Sequence, residues 1–163
     1  MQNLLDRAPA ATARRGRRQA LALVAVLCAL ALGGCTVRMV SDYDETIDLT
    51  ATQLQKDMDA FLTQLEYDTG DAVTYGANRQ FYANYATEIR SLLVRAQAHP
   101  KNDASLIQYG LMLDSLGELE ASHRGDEDHE DDGVLPAAAI PTYRDLFNQS
   151  WGAIIRLEVA KKR

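Results

Sequence analysis

The densest chemistry in the chain lies between His123 and Asp132. Within this stretch His123, Asp126, Asp128, His129, Glu130, Asp131 and Asp132 combine two imidazoles with five carboxylates. Carboxylate oxygens suit hard divalent cations, and imidazole shifts preference toward transition metals. Asp126, Asp128, His129, Glu130 and Asp132 are the candidate metal ligands. A calcium-binding loop begun at Asp128 would place Glu130 and Asp132 at positions 3 and 5 and Gly133 at position 6. The register then fails, because Pro136 falls at position 9 and Ala139 where a bidentate glutamate is needed. The competing reading is a solvated charge run that coordinates nothing.

A second constellation is aromatic. Tyr67, Tyr75, Phe81, Tyr82 and Tyr85 crowd one region, and tyrosine joins a broad apolar face to a polar tip, as a stacking surface for sugar, peptide or another small molecule requires. Aromatic residues at helical spacing also build cores. Catalysis finds little support. The chain has no paired histidines at zinc-ligand spacing, no glycine-rich phosphate loop and no nucleophile elbow. Glu66 and Glu88 could meet across two helices, but the Glu-x-x-His motifs of di-iron bundles are missing. A non-enzyme with no cofactor is expected.

The elements that must position these residues read as four amphipathic helices. Ser41 or Asp42 can cap the first, with Asp44 or Glu45 completing a capping box. Ile47, Ala51, Leu54, Met58, Phe61 and Leu65 then recur at spacings of 4, 3, 4, 3 and 4, one stripe that ends near Gly70. Tyr82, Tyr85, Ile89, Leu92 and Ala96 form the second stripe, widened by Phe81 and Leu93 and closed before Pro100. The third begins after Asn102 or Asp103 and carries Leu106, Tyr109, Leu113 and Leu116. Gly110 and Gly117 flank it, where they could admit a neighbouring helix closely. The fourth runs from Thr142, capped with Asp145, to about Lys162, with Trp151 as packing anchor and Lys161 and Lys162 at the negative end of its dipole. No alternation of period two appears. The predicted fold is all-α, an antiparallel up-down four-helix bundle over 41–163, with one long acidic connection over 124–141.

The start of the chain is of another kind. Arg7, Arg14, Arg15, Arg17 and Arg18 precede an apolar run from Ala20 to Leu32, the charged-then-apolar order of a secretory signal. A membrane span needs roughly 20 apolar residues, more than this run offers before Gly33 and Gly34. An uncleaved single-pass anchor is the competing reading. Leu32, Gly33, Gly34 and Cys35 resemble the lipobox of bacterial lipoproteins. That resemblance implies removal of residues 1–34, lipidation and acylation at Cys35, a tether over 35–40, and a periplasm-facing domain anchored in the membrane. Thr36 in place of Asp after the cysteine favours the outer membrane in the Gram-negative bacteria this pattern resembles. Two or more acyl chains hold a protein permanently, unlike one.

Charge and cysteine content change with that cleavage. The sequence has 17 basic and 23 acidic residues; residues 1–34 carry five of the former and one of the latter, leaving a net charge of about −10. So acidic a chain repels nucleic acid. Cys28 leaves with the signal and Cys35 is lipidated, so the domain has no disulfide and must be held by packing.

Ser41-Asp42-Tyr43-Asp44-Glu45 shortly after the cysteine, followed by a long helix, is similar to a family of small bacterial lipoproteins, as is the last helix, "FNQSWGAIIRLEVAKKR". The family has no assigned activity, so the resemblance carries over no residue beyond Cys35. The signal, the four stripes and the absence of catalytic constellations together predict a lipoprotein anchored in the membrane through Cys35 that binds another envelope protein, or the envelope surface, without catalysis.

Overall fold

The computed structural model describes residues 41–125 and 131–162. The signal segment, Cys35 and its tether, and Asp126, Asp128, His129 and Glu130 lie outside the described residues. Within them the chain is all-α: α1 Glu45–Tyr67, α2 Tyr75–Gln97, α3 Asp103–Arg124 and α4 Ile140–Ala160, with short 3-10 turns at Gly70–Val73 and Ala137–Ala139. These four helices form a bundle. No described helix is long and apolar enough to cross a membrane.

The helix starts differ from the sequence expectation in informative ways. Asp44 itself caps α1, its Oδ1 accepting from the N–H groups of Thr46 at 2.9 Å and Ile47 at 3.3 Å. Ser41 and Asp42 precede the helix; Ser41 is spent on a different contact, described below. Helix α2 begins at Tyr75, capped by Thr74 on the Ala77 N–H. Helix α4 begins before its expected cap: Pro141 occupies the first turn, where a missing N–H costs nothing, and Thr142 makes no capping bond. Gly70 adopts a left-handed φ of 68°, within the 3-10 turn rather than at the end of α1.

The stripes of α1 and α2 are buried as their periodicity requires. Helix α3 is rotated from its expected face. It buries Ser105, Tyr109, Met112, Leu116, Leu119 and His123, again at spacings of 4, 3, 4, 3 and 4, while Leu106 and Leu113 are half-buried and Ile107 is exposed. The polar residues Ser105 and His123 lie on the buried face, so a hydrophobicity pattern selects the neighbouring one. Gly110 and Gly117 face open space: a Cβ at either would meet nothing within 4 Å. Among the described residues no helix approaches them closely.

Packing is uneven. Helix α1 lies mainly on α4 and α2 mainly on α3, whereas α1 and α2, consecutive in sequence, touch along fewer positions. Arg144 of α4 clamps the α1–α4 seam, reaching Asp59 at 2.7 Å, Thr63 at 3.0 Å and Glu66 at 2.6 Å. Glu66 is therefore spoken for on α4 and does not pair with Glu88.

The second half of the acidic connection is docked. The Tyr75 N–H donates to Gly133 O at 2.7 Å and the Gly76 N–H to Asp131 O at 3.0 Å, satisfying two orphan amides at the start of α2. Thr74 and Val134 form an isolated β-bridge, Leu135 is buried, and Arg79 pairs with Asp131.

Candidate functional site

Three clusters gather polar or aromatic side chains, and two of them are structural. The first joins α3 to the α1–α2 connection. His123 is fully buried, its Nε2 2.9 Å from Val73 O and its Nδ1 2.7 Å from the Tyr82 hydroxyl. A carbonyl can only accept, so Nε2 carries the proton and Tyr82 donates to Nδ1. Burial pushes the imidazole pKa below its ordinary value, partly opposed by the bond to Val73. A neutral histidine with both nitrogens engaged has no lone pair left to offer a cation. Asp131 is neutralised by Arg79, and Asp132 is exposed. Among the described residues no three His, Cys, Asp or Glu side chains group to hold a metal ion.

The second cluster was not legible in the sequence. Lys161, expected at the solvent end of the α4 dipole, turns inward with its side chain only 2% exposed. Its ammonium reaches Glu158 Oε1 at 2.7 Å, Asn102 Oδ1 at 2.7 Å and Ser105 Oγ at 3.0 Å. Ser105 beside a lysine has the composition of a nucleophile and its base. The geometry argues against that chemistry: all three ammonium protons are engaged, Ser105 donates to Glu158 at 2.8 Å, and Ser105 is sealed from solvent. Ser41 donates to the same Asn102 Oδ1 at 3.0 Å, and the Asn102 amide donates to Ala96 O at the end of α2. This polar knot ties the chain just before α1 to the end of α2, the start of α3 and the end of α4.

The third cluster is open to solvent. Where α1 and α2 part, a groove of about 400 Å³ is lined by Leu54, Asp57, Ala60, Phe61 and Gln64 of α1 and Asn78, Phe81, Asn84, Tyr85 and Glu88 of α2. Both helices contribute positions at the same offsets, 0, 3, 6, 7 and 10, one face of each. At 1.5 Å per residue each wall is about 15 Å long. Phe61 and Phe81 stack with centroids 3.7 Å apart and planes 15° from parallel, and Phe81 stacks on Tyr85 at 5.3 Å. One end is closed by amides: Asn78 donates to Ala72 O and Thr74 O, each at 2.8 Å, and Gln64 reaches Ala72 O at 3.4 Å. At the other end Tyr85 donates to Leu54 O at 2.8 Å.

The expected aromatic platform is thus mostly core. Tyr75, Tyr82 and Tyr85 are buried with their hydroxyls on Glu120, His123 and Leu54, and Tyr67 stands exposed and outside the groove. Burial raises the hydroxyl pKa of Tyr82 and Tyr85 well beyond the ordinary range, so both stay protonated donors. Phe81 is the half-exposed ring. Leu54, Phe61 and Phe81 were visible as stripe residues, but Asp57, Ala60, Gln64 and Asn84 lie outside the stripes, and Glu88 stood out only as a possible partner of Glu66. Only the parting of two sequence neighbours turns that border into a cavity wall.

Comparison with family models, with curated proteins and with solved structures finds no match to this chain.

Proposed function

We propose that the chain is a lipid-anchored helical lipoprotein of the bacterial envelope, held through Cys35 in the outer membrane and facing the periplasm, and that it acts without catalysis by docking another envelope protein. The observation that carries this reading is the α1–α2 groove. Leu54, Phe61 and Tyr85 are buried at its base, while the half-exposed Phe81 and the exposed Ala60, Gln64, Asn84 and Glu88 form its open face, and a concave surface that mixes an aromatic ring with polar side chains is a place for a binding partner. The anchor half rests on the arginine-rich start, the short apolar run and the sequence from Leu32 to Cys35.

Two measurements test the two halves separately. Intact mass of the envelope-extracted protein beside Cys35→Ser, with fractionation of inner and outer membranes, should show a lipid-modified chain beginning at Cys35 only in the wild type. An unlipidated chain retaining residues 1–34 would sink the anchor. A photo-crosslinking amino acid at Asn84, in the groove wall, should capture a discrete protein partner in intact cells. The same probe at Glu118, on another helix and outside the groove lining, should not capture it. Equal capture from both positions would remove the docking role.

A small molecule in the same groove is the second reading, favoured by a volume within the range of ordinary ligand pockets. Displacement of the crosslinked protein by a low-molecular-weight envelope extract would favour it.

A further inference from the structure

One end of the bundle gathers the start of α1, the end of α2, the start of α3 and the end of α4. Ser41 and Lys161 meet on Asn102, Ser105 meets Glu158, Arg95 reaches Asp44 and Lys162 reaches Asp48. These contacts lock the end together, and the rim around them is apolar and open. Leu49 of α1, Val94 of α2, Ile107 of α3 and Val159 of α4 are each between 43% and 64% exposed. Each stands no more than four residues from its helix end, so all four lie within about 6 Å of that end along the helix axes. Leu111 follows one turn further along α3. A partner meeting one side of the bundle would need such residues on one or two neighbouring helices. One on each of four helices makes a collar, and a collar suits a flat apolar layer entered end-on.

The opposite end also exposes apolar side chains, Tyr67, Val134 and Leu146, and charge separates the two. At the Ser41 end the charges balance. Lys161 answers Glu158, Arg95 answers Asp44 and Lys162 answers Asp48, while exposed Arg90, Lys101 and Arg156 offset exposed Asp42, Glu45 and Asp103. At the other end exposed Glu66, Asp68, Asp71, Glu118, Asp131 and Asp132 outnumber Arg79, Arg124 and Arg144. A bilayer surface bearing anionic headgroups repels the second end and tolerates the first. Chain length points the same way. Six Cα steps separate Cys35 from Ser41, at most about 20 Å of backbone, whereas α1 alone is about 35 Å long. A lipid on Cys35 therefore keeps the Ser41 end close to the bilayer, while the acidic end can stand clear.

We propose that the Ser41 end of the bundle seats on the phospholipid bilayer, with the collar of Leu49, Val94, Ile107 and Val159 sunk among the headgroups and the acidic end projecting away. Interfacial apolar residues sit about 5–10 Å into the headgroup boundary, a depth that covers the whole collar. Lys101 and Arg156 then lie at the level of the lipid phosphates. This rests on lipidation of Cys35 and adds how the bundle stands on the membrane that holds it.

The test uses the chain extracted from the envelope. With residues 1–34 removed and Cys35 lipidated it offers no other thiol, so Leu49→Cys, Val94→Cys, Ile107→Cys, Val159→Cys and, toward the acidic end, Leu146→Cys each take one nitroxide. All five positions are exposed, so the label leaves the core undisturbed. Intact mass reads the lipid on Cys35, and each chain is then placed in nanodiscs of phosphatidylcholine and phosphatidylglycerol. Power-saturation electron paramagnetic resonance compares collisions with oxygen, which concentrates in lipid, and with a nickel chelate, which stays in water. The four collar labels should show an oxygen-to-nickel ratio severalfold above that of the Leu146 label. Adding Val94→Ser and Ile107→Ser should bring the labels at 49 and 159 back toward that reference. Exclusion of both oxygen and nickel from the collar would mean a second copy covers it and overturns lipid as the occupant. Protection confined to the labels at 94 and 107 would lay the bundle on its α2–α3 side and overturns the end-on seating. A lipidated chain whose five labels are equally open to nickel overturns the seating and leaves the anchor standing, whereas an unmodified Cys35 overturns both.

Discussion

The indole N–H of Trp151 donates to the Tyr85 hydroxyl at 2.7 Å, and that hydroxyl donates in turn to Leu54 O at 2.8 Å. One tyrosine oxygen therefore links α4, α2 and α1 beneath the groove floor. This chain sets how far α1 and α2 stand apart, since Tyr85 is pinned at its tip and stacks on Phe81 beside it. Tyr85→Phe keeps the ring and strands the Trp151 N–H in the core. It should cost about 1–3 kcal/mol in urea denaturation and change Trp151 fluorescence. An unaltered midpoint would mean that the link carries no stability.

Stability should fall with acid in two separate windows. Asp44 is desolvated, which raises its pKa, but hydrogen bonds from Arg95, His99 and the Ile47 N–H outweigh that and hold it at about 2, below the ordinary 3.8. The unfolded chain then takes up the proton first, so the stabilisation is whole above pH 3.8 and drains away between there and pH 2. Burial likewise holds His123 below its ordinary 6.5, so the unfolded imidazole protonates first and stability declines as pH falls below 6.5. Asp44→Asn keeps a good cap and should flatten only the lower window. His123→Leu should flatten only the upper one, while costing about 2–3 kcal/mol at pH 7 by stranding Tyr82 and Val73 O. Urea midpoints from pH 2 to 8 separate the two, and a slope unchanged in both variants would contradict these assignments.

Glu158 and Lys161 pack at 2.7 Å with side chains 0% and 2% exposed, and Glu158 Oε2 has no hydrogen-bond partner among the described residues. Removing one charge leaves the other buried and unmatched. Lys161→Met should therefore destabilise by about 3–5 kcal/mol, and adding Glu158→Leu should recover most of that loss. A double variant no more stable than Lys161→Met alone would show that the pair contributes through packing rather than charge.

That ion pair also marks where sequence reading stops. The stripes of α1 and α2 could be read because the residues that recur at helical spacing on their buried faces are apolar, from Ile47 to Leu65 and from Tyr82 to Ala96, with Asp48 the one buried charge among them. Helix α3 could not, because Ser105 and His123 sit on its buried face and are satisfied only by residues distant in the chain, Glu158 and Val73. The groove was half legible for a related reason. Its floor uses stripe residues, but its walls at Asp57 and Glu88 become a site only through the spacing of two helices, which periodicity within either helix does not encode.

Glycines give the sharpest contrast between pattern and packing. Gly117 was expected to admit a neighbouring helix, yet a Cβ there meets nothing within 4 Å. With no close approach to protect, Gly117→Ala should stabilise by up to about 1 kcal/mol through helix propensity alone. Gly133, in the acidic connection, attracted no expectation of this kind. A Cβ there would clash with Arg124 O and His123 O, both backbone atoms that cannot swing aside. Gly133→Ala must lift the connection off α3 and disturb the Gly133 carbonyl that accepts from Tyr75 N–H, at a cost of about 1–3 kcal/mol. Thermal unfolding of the two variants should therefore move in opposite directions. If Gly117→Ala instead destabilises, that face of α3 is covered by something other than the described residues, and an interface would have to be sought there.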